Sequence, residues 1–128
     1  FLFKGRPLPI FIDESCRVAE DVANFHHHVA GINLKLMKCG GITEAIKILN
    51  VAKSHSLKTM IGCMSESSIS ISAGASISGI IDYVDLDSHY NLDPDPSEGS
   101  KMVNGITIAN SKYGHGANLK KEYYDKID

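Results

Sequence analysis

Asp13, Lys35, Ser65, Glu66, Asp85 and Asp87 are the side chains of this 128-residue sequence whose type and placement could do chemistry. Lys35 lies inside Gly31-Ile-Asn-Leu-Lys-Leu-Met-Lys-Cys-Gly-Gly41, which reads as a buried strand over 32–38 ending in two glycines. Alternation puts Asn33, Lys35 and Met37 on one face and Leu34, Leu36 and Lys38 on the other. With Leu34 and Leu36 under helices, Lys35 points into the opposite interior, where lost solvation lowers an ammonium's pKa and makes it a usable general base. An edge strand whose lysine snorkels to water satisfies the same alternation. Asp13 closes the preceding strand or caps the next helix, and Glu66 can cap the helix that follows it. Asp85 and Asp87 end a fourth apolar run, where a pair of solvated carboxylates would also be at home.

The elements that must position these groups follow from the apolar pattern. Pro9-Ile-Phe-Ile-Asp13 is a short strand with Pro7 and Pro9 confined to its start. Residues 17–28 read as a helix after Glu14-Ser15, with Val18, Val22 and Phe25 on one side. Its terminal His26-His27-His28 run is a solvated helix end, because side chains about 100° apart cannot converge on one ion. Thr43 opens a helix to about His55, striped by Ala45, Ile46, Leu49 and Ala52. Leu57–Cys63 is a third strand, 64–68 its exit loop, 67–79 a small-residue helix, and Ile81–Asp87 a fourth strand. The order βαβαβαβ with short connections implies parallel strands and right-handed crossovers. That is half of an eight-stranded barrel, and all six candidates fall on the rim where such barrels do chemistry. Residues 1–88 form this half-barrel. Residues 89–128 form an irregular tail with a polar turn at 91–99, a hairpin over Lys101–Ile108, a loop at Tyr113–Ala117 and a charged surface segment.

The composition excludes several classes. A net charge of -2 and 43% hydrophobic residues describe a globular chain without the basic footprint of a nucleic-acid or anionic-membrane binder. No apolar run is long enough to span a bilayer, and Phe1–Pro7 is neither a signal peptide nor a spanning helix. Three widely spaced cysteines without a CxxC pair fit a reducing cytoplasm better than a disulfide scaffold or a structural zinc site. The chain opens on an apolar run without an initiator Met, as a piece of a longer protein would.

Pro9-Ile-Phe-Ile-Asp-Glu-Ser15, Gly31 to Gly41, Gly62-Cys-Met-Ser-Glu-Ser-Ser68 and Asp82-Tyr-Val-Asp-Leu-Asp87 together resemble the fifth to eighth strands of enolase-superfamily barrels. Within that superfamily they are most similar to the dipeptide epimerases of the muconate-lactonizing subgroup, of the L-Ala-D/L-Glu type. The resemblance is close over residues 7 to about 88 and looser in the tail, which it implies returns toward a capping region. It implies that Asp13 is the third of three carboxylates holding Mg²⁺ and that Lys35 is the acid/base on one face of the substrate's α-carbon. Asp85 and Asp87 would receive the dipeptide's α-ammonium, and Ser65 and Glu66 would line the pocket. One lysine would remove the α-proton, Mg²⁺ would stabilise the enediolate, and a second lysine would reprotonate from the other face.

The sequence lacks the KxK motif that supplies the opposite lysine and the first two metal carboxylates. The expected partners are therefore a small dipeptide and a missing N-terminal half, with inactivity expected for the fragment alone. Two other readings are a lactonizing cycloisomerase or o-succinylbenzoate synthase, and a non-catalytic half-barrel that self-associates as a homo-oligomer to cover its raw edges.

Overall fold

The computed structural model describes residues 7–126, so what the sequence suggests for residues 1–6 lies outside it. The chain divides into two compact units. One runs up to Gly62 and adds Ile80–Asp85; the other holds Cys63–Gly79 and the chain from Leu86 onward.

The first unit is a four-stranded sheet with helices on one face. Its strands β1 (Phe11–Ile12), β2 (Gly31–Leu34), β3 (Lys58–Ile61) and β4 (Tyr83–Val84) pair in that order, all of them parallel. Between them lie α1 (Ala19–Phe25), a single turn α2 (Leu36–Cys39) and α3 (Ile42–Ser54). Helix α1 packs on α3, and α3 packs on β2 and β3. The alternation is visible in the burial of β3, whereas β2 is buried at every position. Ile32, Leu34 and Ile61 are fully buried, as are Val22 of α1 and Ala45, Ile48, Leu49 and Ala52 of α3. The stripe of α3 thus runs through Ile48 rather than the expected Ile46, a shift of two positions within the same helical period.

Several boundaries are tighter than the apolar pattern suggests. Helix α1 begins after Val18 because the Asp21 carboxylate accepts from the N–H groups of Arg17 and Val18. Helix α3 is capped by Gly41, not Thr43, and Gly41 reaches φ 119°, a backbone open to glycine alone at little cost. The second strand stops at Leu34 and the fourth at Val84, both short of the expected spans.

On the sheet face opposite the helices, Phe11 of β1 reaches across β2 toward β3 and meets the Tyr83 ring of β4 edge-on, at 5.9 Å between centroids. Gly31 makes this crossing possible. A Cβ there would collide with the Phe11 ring and with the Lys58 carbonyl. Farther along β2, the amide of Asn33 sits within 3.4 Å of where a Gly62 side chain would begin. The lower edge of the sheet is tied by Asp82, whose carboxylate accepts from Lys58 Nζ, Thr59 N and Thr59 Oγ1, each at 2.9 Å.

In the second unit, α4 (Ser68–Ile77) packs on β5 (Ser97–Glu98) and on the 3₁₀ turn Ser88–Asn91. Asp95 is the staple: it accepts from Ser68 N at 3.0 Å and from the Ser68 hydroxyl, and from Ser97 N and Oγ. The hairpin β6 (Lys101–Val103) and β7 (Ile106–Ile108) forms as expected. It turns at Asn104-Gly105 with φ of 52° and 77°, the signature of a two-residue loop that matches strand twist. The pairing of β5 with β8 (Asn118–Leu119) is not legible in the sequence, because two-residue strands carry no period. No helix among the described residues is long and apolar enough to cross a membrane.

Two outcomes follow for the first unit. Gly31→Ala lowers stability by roughly 1–3 kcal/mol, since overpacking forces the Phe11 ring or the β3 backbone to move; urea unfolding measures it. The Lys58 ion pair, followed by the two Thr59 bonds, holds the Asp82 carboxyl down at about 2 against an ordinary 3.8. A depressed carboxylate gives stability that is present above its unfolded value and is lost as pH falls through the folded one. The drop in urea midpoint between pH 3.8 and about 2 is therefore smaller in Asp82→Asn than in the parent chain.

Candidate active site

Because the four strands of the first unit are parallel, their carboxyl ends share one edge of the sheet. The first residue beyond each strand is Asp13, Lys35, Gly62 and Asp85. The ladder carries on to the last two, with Gly62 N donating to Leu34 O at 2.8 Å and Asp85 N to Ile61 O at 2.9 Å. Three of the six candidate residues are thus brought to one edge of the sheet by topology alone, each two residues from a side chain of the inward face: Asp13 from Phe11, Lys35 from Asn33, Asp85 from Tyr83.

Asp13 is the centre of this edge. Its Oδ2 lies 2.9 Å from Lys35 Nζ and accepts from Asn33 Nδ2 at 3.1 Å. Its Oδ1 lies 2.5 Å from Lys38 Nζ. The same Lys38 ammonium donates to the Asp13 carbonyl and, at 3.4 Å, to the Asn33 carbonyl. Lys35 also reaches Glu14 Oε1 at 3.3 Å. The lysine side chains are 13% and 7% exposed, whereas Asp13 is 37% exposed and faces water on one side. Burial alone would push the Asp13 carboxyl up; the hydrogen bonds and charge of Lys38 and Lys35, with the Asn33 amide, outweigh it and hold it below the ordinary value.

Two expectations about the central strand are corrected. The strand does not run to residue 38: Lys35 is extended at φ -135°, and Leu36–Cys39 then makes one helical turn that ends on Gly40 in the left-handed region at φ 82°. Met37, expected on the Lys35 face, is 59% exposed. Lys38, expected on the opposite face, comes round by three helical positions onto Asp13. The second correction concerns charge. The Lys35 pKa is raised, not lowered, because its hydrogen bond to Asp13 outweighs the loss of solvation, and Glu14 adds to the effect. Sequence reasoning missed Lys38 as a site residue; the signal was the Lys-x-x-Lys-x-Gly-Gly spacing, which fits one helical turn closed by glycine.

The remaining candidates lie in the second unit. Ser65 is exposed, while Glu66 is 4% exposed. Its carboxylate accepts from Met64 N at 3.2 Å and Ser70 Oγ at 3.0 Å, and its own N–H donates to Ser88 Oγ at 3.1 Å. Those bonds brace the loop that leads into α4. Asp87 is exposed, flanks the Ser88–Asn91 turn and lies 3.9 Å from Cys63 Sγ.

Asp13 offers a half-open carboxylate, the hard oxygen donor that Mg²⁺ favours. Among the described residues no three His, Cys, Asp or Glu side chains gather into a metal site.

Residues 3–123 match the enolase C-terminal domain-like family. The chain belongs to that family. It is 59% identical over 123 residues to the hydrophobic dipeptide epimerase of Flavobacteria bacterium (strain MS024-2A), covering 96% of this chain and 35% of that protein. Against the hydrophobic dipeptide epimerase of Roseobacter litoralis it is 61% identical, covering 92% of this chain and 34% of that protein. Among solved structures, the dipeptide epimerase of Cytophaga hutchinsonii, complexed with Mg and D-Ala-L-Val, superposes with a TM-score of 0.84 at 30% identity, over 94% of this chain and 35% of that one. The chain spans about a third of the length of the curated relatives it matches, and what it spans is the C-terminal part of the enolase-superfamily barrel expected from its motifs.

Asp13→Asn tests the electrostatics of this edge directly. It strands a Lys38 ammonium that is almost fully buried, so unfolding free energy falls by about 1–3 kcal/mol, below the full cost of breaking a buried pair because Asp13 is partly solvated. Urea denaturation near neutral pH measures the loss. A companion scan to low pH shows it shrinking, since the depressed Asp13 carboxyl loses its contribution as it protonates.

Proposed function

We propose that this chain is the C-terminal third of a Mg²⁺-dependent dipeptide epimerase, a cytoplasmic isomerase that inverts the α-carbon of one dipeptide residue, one lysine removing the α-proton and a second reprotonating from the opposite face. The observation that carries the reading is the Asp13–Lys35 pair at the carboxyl ends of adjacent parallel strands, in a sequence about 60% identical to two hydrophobic dipeptide epimerases. Cys16 and Cys39 form no disulfide, which accords with a reducing compartment.

In this reading Asp13 contributes one oxygen to Mg²⁺, which when bound supplies positive charge against the negative charge that develops on the substrate's carboxylate. Lys35 Nζ serves one face of the α-carbon, taking the α-proton in one direction of the reaction and supplying a proton in the other, while the opposite lysine does the converse on the other face. To do so it must leave Asp13 Oδ2, the partner that now keeps it protonated. Asp85 and Asp87 receive the α-ammonium of the dipeptide, a charge-assisted contact suited to paired carboxylates. Ser65 presents its hydroxyl to the pocket, and Glu66 shapes the pocket through the loop it braces. The opposite lysine and the other metal carboxylates come from the rest of the protein, so the 128 residues alone are inactive. Two of its relatives are hydrophobic dipeptide epimerases, which favours an apolar dipeptide as the substrate.

The test is to join this chain to the N-terminal two thirds of the Flavobacteria bacterium relative and assay L-Ala-L-Glu and apolar dipeptides in D₂O. Epimerisation with α-proton exchange is expected, and Lys35→Ala abolishes washout from one face. Undiminished exchange from both faces in Lys35→Ala would remove the lysine from the mechanism. Asp85→Asn and Asp87→Asn raise KM for dipeptides; unchanged dipeptide binding would favour a lactonizing or o-succinylbenzoate type of substrate instead.

A further inference from the structure

We propose that Lys38 is the positioning residue for Asp13, fixing the carboxylate so that Oδ2 alone is presented to the reaction. This rests on the reading of Asp13 as a metal-binding carboxylate. An ammonium has three N–H donors, and Lys38 has three oxygen partners: Asp13 Oδ1, the Asp13 carbonyl and the Asn33 carbonyl. It has none left for a substrate. Lys35 is different, with two carboxylate partners and one donor to spare. The two lysines on one carboxylate therefore do different work.

The geometry of the grip is specific. By holding both the backbone carbonyl and Oδ1 of the same residue, Lys38 sets the side-chain rotation of Asp13 relative to its own strand. Its third bond, to the Asn33 carbonyl, ties that rotation to the neighbouring strand β2. Oδ2 then has one direction left, toward Lys35 Nζ and the Asn33 amide. Lys38 is 7% exposed, so water cannot easily substitute for it. Outer partners that orient a ligating carboxylate typically change metal affinity by about 10- to 100-fold when removed. Charge alone works in the opposite direction: taking away a cation beside Asp13 would strengthen metal binding.

The experiment uses the complete enzyme with this chain as its C-terminal third and Mn²⁺ as the probe, titrated by calorimetry. Lys38→Met is expected to weaken Mn²⁺ binding about tenfold or more, with the KM for dipeptide at saturating Mn²⁺ moving less than about twofold. On an Asp13→Asn background the same substitution is expected to cost nothing further, as two residues acting through one contact should behave. Mn²⁺ affinity that is unchanged or tighter in Lys38→Met overturns the proposal, and so does an additive loss in the double variant. Asp13→Asn with intact Mn²⁺ binding instead overturns the ligand reading of Asp13, and the role of Lys38 with it. Should Lys38→Met fail to fold, Lys38→Ala, which likewise removes every donor, is read by the same outcomes.

Discussion

The carboxylate of Asp13, shared between two lysines and an asparagine amide, is the interaction on which the first unit depends. It joins the carboxyl ends of β1 and β2 through side chains at the point where the backbone ladder between them stops. The cluster also balances charge. Lys35 and Lys38 face Asp13 and Glu14, so two nearly buried ammonium groups are tolerated at an edge where either alone would be costly.

Close packing beneath that cluster makes the arrangement rigid. Gly31 lets the Phe11 ring cross to Tyr83, and Gly62 leaves room for the Asn33 amide. Each glycine is spent on close approach rather than on a turn. The result is that the inward side chains at three strands are placed by their neighbours' bulk, with Asn33 held between Asp13 on one side and Gly62 on the other. On the opposite face, fully buried aliphatic side chains from α1, α3, β2 and β3 supply the apolar burial that offsets the cost of ordering the chain.

The second unit is organised differently, by hydrogen bonds from short polar side chains to backbone. Asp95 joins the start of α4 to β5, Ser72 accepts from Ser100 N at 2.7 Å, and Glu66 braces the loop before the helix. Helix α4 itself is rich in serine and isoleucine. It buries Ile71 completely, and the polar contacts of Ser68 and Ser72 fix its geometry at modest energetic gain.

Much of this protein is legible in its sequence. The four parallel strands, the helices between them, the hairpin at Asn104-Gly105 and the placement of Asp13 and Asp85 at strand ends all follow from local apolar period and glycine punctuation, which act over a few residues. The tertiary structure decided the rest. Leu36-Met-Lys-Cys39 fits a strand or one helical turn equally well, because Leu36 is buried in both. The turn is favoured when the Lys38 ammonium finds Asp13, 25 residues away in the chain. The direction of the Lys35 pKa was set in the same way. Burial can be inferred from alternation along one strand, but whether a buried ammonium gains or loses its proton depends on the partner facing it, and that partner arrives from another strand.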